Sequence, residues 1–138
     1  MKRVIIFMLA LIVFAVPAFA DFIEDFNRYA DIHGIEQAKL FSSADGSTYY
    51  KSGVTLLSAD DRLVTIGGHD HIKTLAVACC ALDSINKKES YTESSGRIFI
   101  AYLDALKTET GKAYSAPYGY IEIHVTIAED SIIINLVK

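Results

Sequence analysis

The chain has 138 residues, 13 Lys+Arg against 17 Asp+Glu, a formal net charge of −4 and 51% hydrophobic residues. That length suits one domain around one core. An acidic balance without a basic cluster excludes nucleic acid and anionic lipid as partners, because both need concentrated positive charge.

Residues Met1 to Ala20 have the layout of a secretory signal peptide: Lys2 and Arg3, an apolar run from Val4 to Val16, then Ala18-Phe19-Ala20 as the small-x-small cleavage pattern. The competing reading is a retained anchor. It needs roughly twenty apolar residues, and this run is marginal and broken at Pro17. The expected organisation is therefore a signal peptide at 1–20 and a single domain at 21–138, exported to a periplasm or the extracellular medium. Loss of Lys2 and Arg3, two positive charges, takes the net charge from −4 to −6. No later apolar stretch is long and charge-free enough for stable membrane insertion after cleavage.

The mature part opens with helical spacing over Phe22 to Gly34. Phe22, Ile23, Phe26, Tyr29, Ala30 and His33 share one side, and Gly34 suits the left-handed residue that ends a helix. Ile35 to Gly46 lacks periodicity and reads as loop, with turn chemistry at Ser42 to Ser47. A β-hairpin follows, Val54–Leu57 and Leu63–Ile66 around an acidic turn at Ala59–Arg62. Asp70 is placed to cap a helix from Ile72 to Ile85 that is apolar on nearly every side, the signature of a buried central helix. Within it Cys79 and Cys80 are adjacent, too poorly oriented to bridge one another on helical backbone, and read as small buried hydrophobes rather than as an intermolecular bridge or redox pair. Ile98 to Lys107 forms a further helix with Phe99, Tyr102, Leu103 and Leu106 on its expected inner face and Ser94 or Ser95 as cap. A second hairpin pairs Tyr120–Ile127 with Ile132–Val137; Ile121, Ile123, Val125 and Ile127 alternate with polar residues, which predicts one buried face and one wet face.

The order α-ββ-α-α-ββ predicts an α+β fold: two layers, a four-stranded antiparallel sheet made from the two hairpins, and about three helices on one face. The halves also resemble each other. Phe22, Ile23, Phe26 and Gly34 match Phe99, Ile100, Leu103 and Gly111, and both hairpins turn on acidic loops, a pattern expected of an internal α-β-β duplication or of any two helix-hairpin segments.

Three constellations carry chemistry. His69 and His71, flanking Asp70, could ligate Zn²⁺ or Cu²⁺ with a third group such as His33 or His124; the alternative is a plain strand-to-helix junction. Ser84 and Lys87 share the spacing of a Ser-x-x-Lys nucleophile but sit where a helix ends, and Gly111-Lys112 lacks the upstream glycine of a phosphate loop. Tyr49 and Tyr50 before the first hairpin, and Tyr114, Tyr118 and Tyr120 before the second, would gather at one sheet edge if the hairpins join there, a contact surface for a protein, peptide or glycan. Tyrosine also belongs in half-buried strands without any ligand.

These readings favour a non-catalytic exported binding or accessory protein with no cofactor. The alternatives are a small metal-dependent hydrolase built on His69 and His71, and a secreted inhibitor presenting the Ser42–Ser47 loop.

Overall fold

The computed structural model describes residues 17–44, 47–59, 62–86, 91–107, 113–118 and 121–138. Among them the chain runs α1 (Pro17–His33), β1 (Ala38–Ala44), β2 (Ser47–Ser52), β3 (Thr55–Ala59), β4 (Leu63–Gly68), α2 (His71–Asn86), α3 (Tyr91–Leu106), β5 (Ala113–Tyr118), β6 (Ile121–Ile127) and β7 (Ile132–Val137). The class is α+β, with three helices and one antiparallel sheet among the described residues.

The sheet has seven strands in the order β1-β2-β3-β4-β7-β6-β5, not the four expected. Both hairpins are present as β3–β4 and β6–β7, and each is extended outward by strands the periodicity does not reveal. β1 occupies the segment read as loop. Its residues, Ala-Lys-Leu-Phe-Ser-Ser-Ala, carry no alternation, because an edge strand has one neighbour and much of its length stays wet. A bulge between Leu40 and Ser42 breaks the side-chain alternation further. β5 contains Pro117, which a central strand would not tolerate but an edge strand does.

Two meanders are thus joined at β4 and β7, which pair antiparallel from Leu63↔Val137 to Gly68↔Ile132. After β4 the chain crosses through α2 and α3 to the far margin, then returns through β5 and β6 to lay β7 against β4. Leu57, Val64, Ile66, Ile123, Val125, Ile132, Ile134 and Leu136 project to one side and are buried. They form a single core with Phe26 and Ala30 of α1, the apolar length of α2, and Ile98, Ala101 and Ala105 of α3.

α2 is the central buried helix its composition predicts. Ten of its sixteen residues are buried, and Ala78, Cys79, Cys80 and Ala81 are small enough for α1 and α3 to pack on either side. Both cysteines are buried free thiols, their pKa values pushed up to about 12 chiefly by burial, so neither offers a reactive thiolate. Asp70 caps α2 as expected, its carboxylate accepting the Lys73 N–H at 3.0 Å.

α1 ends as read: Gly34 has φ 70°, and the Ile35 N–H donates to Ala30 O at 2.8 Å, closing a Schellman turn. One side chain of α1 also positions the sheet edge. The Asn27 amide accepts the Ala38 N–H at 2.6 Å and donates to Ala38 O at 3.3 Å, clamping the start of β1.

α3 departs from expectation twice. It starts at Tyr91, so Ser94 and Ser95 lie inside it instead of capping it. Its buried face is Ser94, Ile98, Ala101 and Ala105, whereas Phe99, Leu103 and Leu106 are exposed. The small alanines let the helix lie close to the sheet, which the larger residues would prevent. The two halves are consequently not equivalent: Phe26 is fully buried while its expected match Leu103 is 42% exposed, and four strands stand against three.

One close approach fixes how α2 leaves the sheet. A Cβ added to Gly68 would lie 2.6 Å from Thr74 Oγ1, whose hydroxyl is committed to Asp70 O at 2.7 Å. Gly68→Ala is expected to destabilise the protein by about 2 kcal/mol, and the added change Thr74→Ala to recover part of that loss in urea unfolding. A neutral Gly68→Ala would show that the approach is looser than described.

Candidate functional site

Among the described residues no helix packs on the side of the sheet away from the three helices. Strand alternation sends to it one register row of Lys51, Leu56, Gly67, Ile133 and Thr126, and a second of Tyr49, Ser58, Thr65, Asn135, His124 and Ser115. Tyr49, Leu56 and Ile133 are between 37% and 40% exposed, and Phe41 at the margin is 56% exposed, with the Lys51 ammonium 5.0 Å above its ring. Gly67 has no side chain, so a dip separates Leu56 from Ile133 across the middle of the row. The far side is polar: Ser115 Oγ donates to Glu122 Oε1 at 3.2 Å, and His124 Nε2 lies 3.6 Å from Glu122 Oε2. The face thus has an aromatic-aliphatic half and a hydroxyl-amide-imidazole half.

The tyrosines do not assemble as expected. Because the meanders join through β4 and β7, Tyr49 and Tyr50 on β2 are five strand spacings, about 24 Å, from Tyr114 and Tyr118 on β5. Tyr49 faces the open side; Tyr50 and Tyr118 pack partly against the core, Tyr118 beneath the Arg97 guanidinium at 5.8 Å. Tyr120 lies outside the described residues. Among the tyrosines whose side chains are described, the expected edge cluster is replaced by one exposed ring, Tyr49, on the open face.

The histidines are also dispersed. His69 Nδ1 is hydrogen-bonded to Asp130 O across the sheet end, and His71 Nδ1 lies 2.8 Å from the Tyr102 hydroxyl with the two rings edge-to-face. His33 sits at the end of α1 and His124 on β6. Among the described residues no three His, Cys, Asp or Glu side chains converge as a metal-ligand set. Ser84 is buried and its hydroxyl donates to Cys80 O at 2.7 Å, a helix back-bond rather than a poised nucleophile; Lys87 and the Gly111-Lys112 pair lie outside the described residues.

One polar cluster escapes a sequence reading. Asp83, fully buried on α2, accepts a hydrogen bond from Ser94 Oγ of α3 through Oδ1, and its Oδ2 lies 3.4 Å from His33 Nε2 of α1. Ser, His and Asp together suggest a hydrolase, but the order is wrong. The carboxylate separates hydroxyl from imidazole, so the histidine cannot take the serine proton, and Ser94 is 1% exposed. The cluster ties three helices together. Its one sequence signal is a lone carboxylate in the apolar helix Ile72 to Ile85.

A groove of about 490 Å³ opens between the end of α1, the β2–β3 turn and the start of α2, walled by Ile35, Val54, Ala76 and Val77 and bordered by Glu36 and Lys73. Neither polar cluster nor histidine pair opens into it as a reacting set.

No family model, curated protein or solved structure matches the chain.

Burial, partly offset by Ser94 and His33, holds the Asp83 carboxyl above its ordinary value of 3.8. The folded state therefore binds this proton more tightly than the unfolded state, and the group's contribution to stability improves as pH falls through the folded value toward 3.8. Measured from about pH 7 to about pH 4, the unfolding free energy of the wild type is expected to rise relative to that of Asp83→Asn; a fall would mean that His33 outweighs burial. Ser94→Ala is expected to cost about 2 kcal/mol in the same assay, because it strips a buried carboxylate of its hydrogen-bond donor.

Proposed function

We propose that this chain is a non-catalytic exported binding or accessory protein whose open sheet face holds its partner. The observation that carries the reading is the composition of that face: Tyr49, Leu56 and Ile133 present aromatic and aliphatic area beside Thr65, Asn135 and His124, a mixture suited to a protein or peptide surface. A purely solvating face would be charged and free of large apolar side chains. The buried arrangement of Ser94, Asp83 and His33 and the dispersal of His69 and His71 leave hydrolysis without a reacting set among the described residues.

Export rests on the layout of Met1 to Ala20, and the packing of α1 is compatible with it. α1 begins at Pro17 and so runs across the expected cut at Ala20–Asp21; among its described side chains, Phe22, Ile23, Phe26 and Ala30 reach the core and follow that cut.

Mass measurement of protein recovered from its own host is expected to show a chain beginning at Asp21; an intact Met1 terminus would withdraw the export reading. For the binding face, a photo-crosslinking residue placed at Leu56 or Ile133 in the native host is expected to give one discrete adduct that the same residue at exposed Ile32 does not. Equal labelling at all three positions, or none, would remove the open face as a binding site.

A further inference from the structure

The groove between the end of α1, the β2–β3 turn and the start of α2 has aliphatic walls, Ile35, Val54, Ala76 and Val77, around a volume of about 490 Å³. Val54 is 55% exposed at its mouth, because Ser52 and Thr55 on either side of the turn are buried and only Gly53, at φ 60°, shares the bend with it.

Opposite charges stand on the rim, Glu36 between α1 and β1 and Lys73 in the first turn of α2. Both are anchored at the backbone. Ser52 Oγ donates to Glu36 O at 2.5 Å, and the Glu36 carboxylate lies over Gly53, 3.4 Å from where a Cβ would stand. The Lys73 N–H is held by the Asp70 carboxylate at 3.0 Å. Glu36 and Lys73 form no ion pair with each other, nor does either with another charged side chain among the described residues.

An apolar groove between an unpaired anion and an unpaired cation selects a ligand with the reverse arrangement, an ammonium at one end, a carboxylate at the other and aliphatic area between. A single α-amino acid carries both charges on one carbon and cannot present them to opposite walls. We propose that the groove binds a short linear peptide of roughly two or three residues with free termini, a size suited to a pocket of this volume. Its ammonium meets Glu36, its carboxylate meets Lys73, and its aliphatic side chains lie against Ile35, Val54 and Val77. The carboxylate also gains from the positive end of α2. This groove lies among the helix ends, away from the open sheet face, and does not depend on the partner proposed there.

Isothermal titration calorimetry with leucyl-leucine, on the protein as its host produces it, tests the assignment. Leucyl-leucine is expected to bind with a Kd of about 0.1 mM, and N-acetylation, C-amidation or replacement by free leucine each to weaken binding about tenfold. In Glu36→Gln the acetylated and unblocked peptides should bind within about twofold of each other, while the penalty for the amide persists. In Lys73→Gln the amide and the acid should become equivalent, while the penalty for the acetyl group persists. Both side chains are exposed, so both variants should keep the wild-type circular dichroism. Absence of leucyl-leucine binding at about 5 mM overturns the proposal. So does free leucine binding as tightly, a preference for the doubly blocked peptide, or terminal penalties unchanged in the two variants.

Discussion

The antiparallel pairing of β4 with β7 is the constraint on which the rest of the structure depends. It fuses two meanders, one on each side of the α2–α3 crossover, into a single sheet and gives that sheet one buried face wide enough for three helices. Val64, Ile66, Ile134 and Leu136 line the seam, all fully buried, with α2 packed on both strands. By placing the hairpins at the centre, the seam sends β1 and β5 to opposite margins and separates the two groups of tyrosines. It also leaves the reverse face of the sheet uncovered by any other element among the described residues.

Above the seam the helices are held by two kinds of force. Apolar packing is strongest along α2, where small side chains permit close approach. Asp83 adds direction, because one buried carboxylate contacts His33 of α1 and Ser94 of α3 at once. Removing a partner from such a cluster costs more than forming it contributes, so its effect is to make other helix arrangements unfavourable. The residue types that would suggest catalysis are thereby used internally. Outside this core lie the side of the sheet away from the helices on one layer and the exposed apolar residues of α3 on the other.

The strands and helices with strong periodicity were legible, and the weakly patterned ones were not. Ile121 to Ile127 and Ile132 to Val137 each bury one face, and Ile72 to Ile85 is buried on nearly every side, so burial imposes alternation or uniform apolarity there. β1, β2 and β5 are at or next to the margins, where Ser42, Lys51 and Pro117 are tolerated because one side or one edge is free. The inner face of α3 departs from its spacing for a related reason. Large apolar residues at helical spacing normally mark the core, but Ala101 and Ala105 win the buried side through close contact, and the large residues are left outside. Asp70 and Gly34 were readable because caps are local chemistry. The convergence of Asp83, His33 and Ser94 was not, since the three residues are brought together only by helix packing.

The open sheet face, the shared core and the dispersal of the tyrosines all presuppose that the two meanders form one cooperative sheet. Native-state hydrogen exchange followed residue by residue tests this directly. The amides paired between β4 and β7, together with those of α2, should be the slowest in the protein and should exchange with the free energy of global unfolding. If the β4–β7 amides instead exchange well before those within each meander, the halves are separate units resting against each other, and the account built on the seam is wrong.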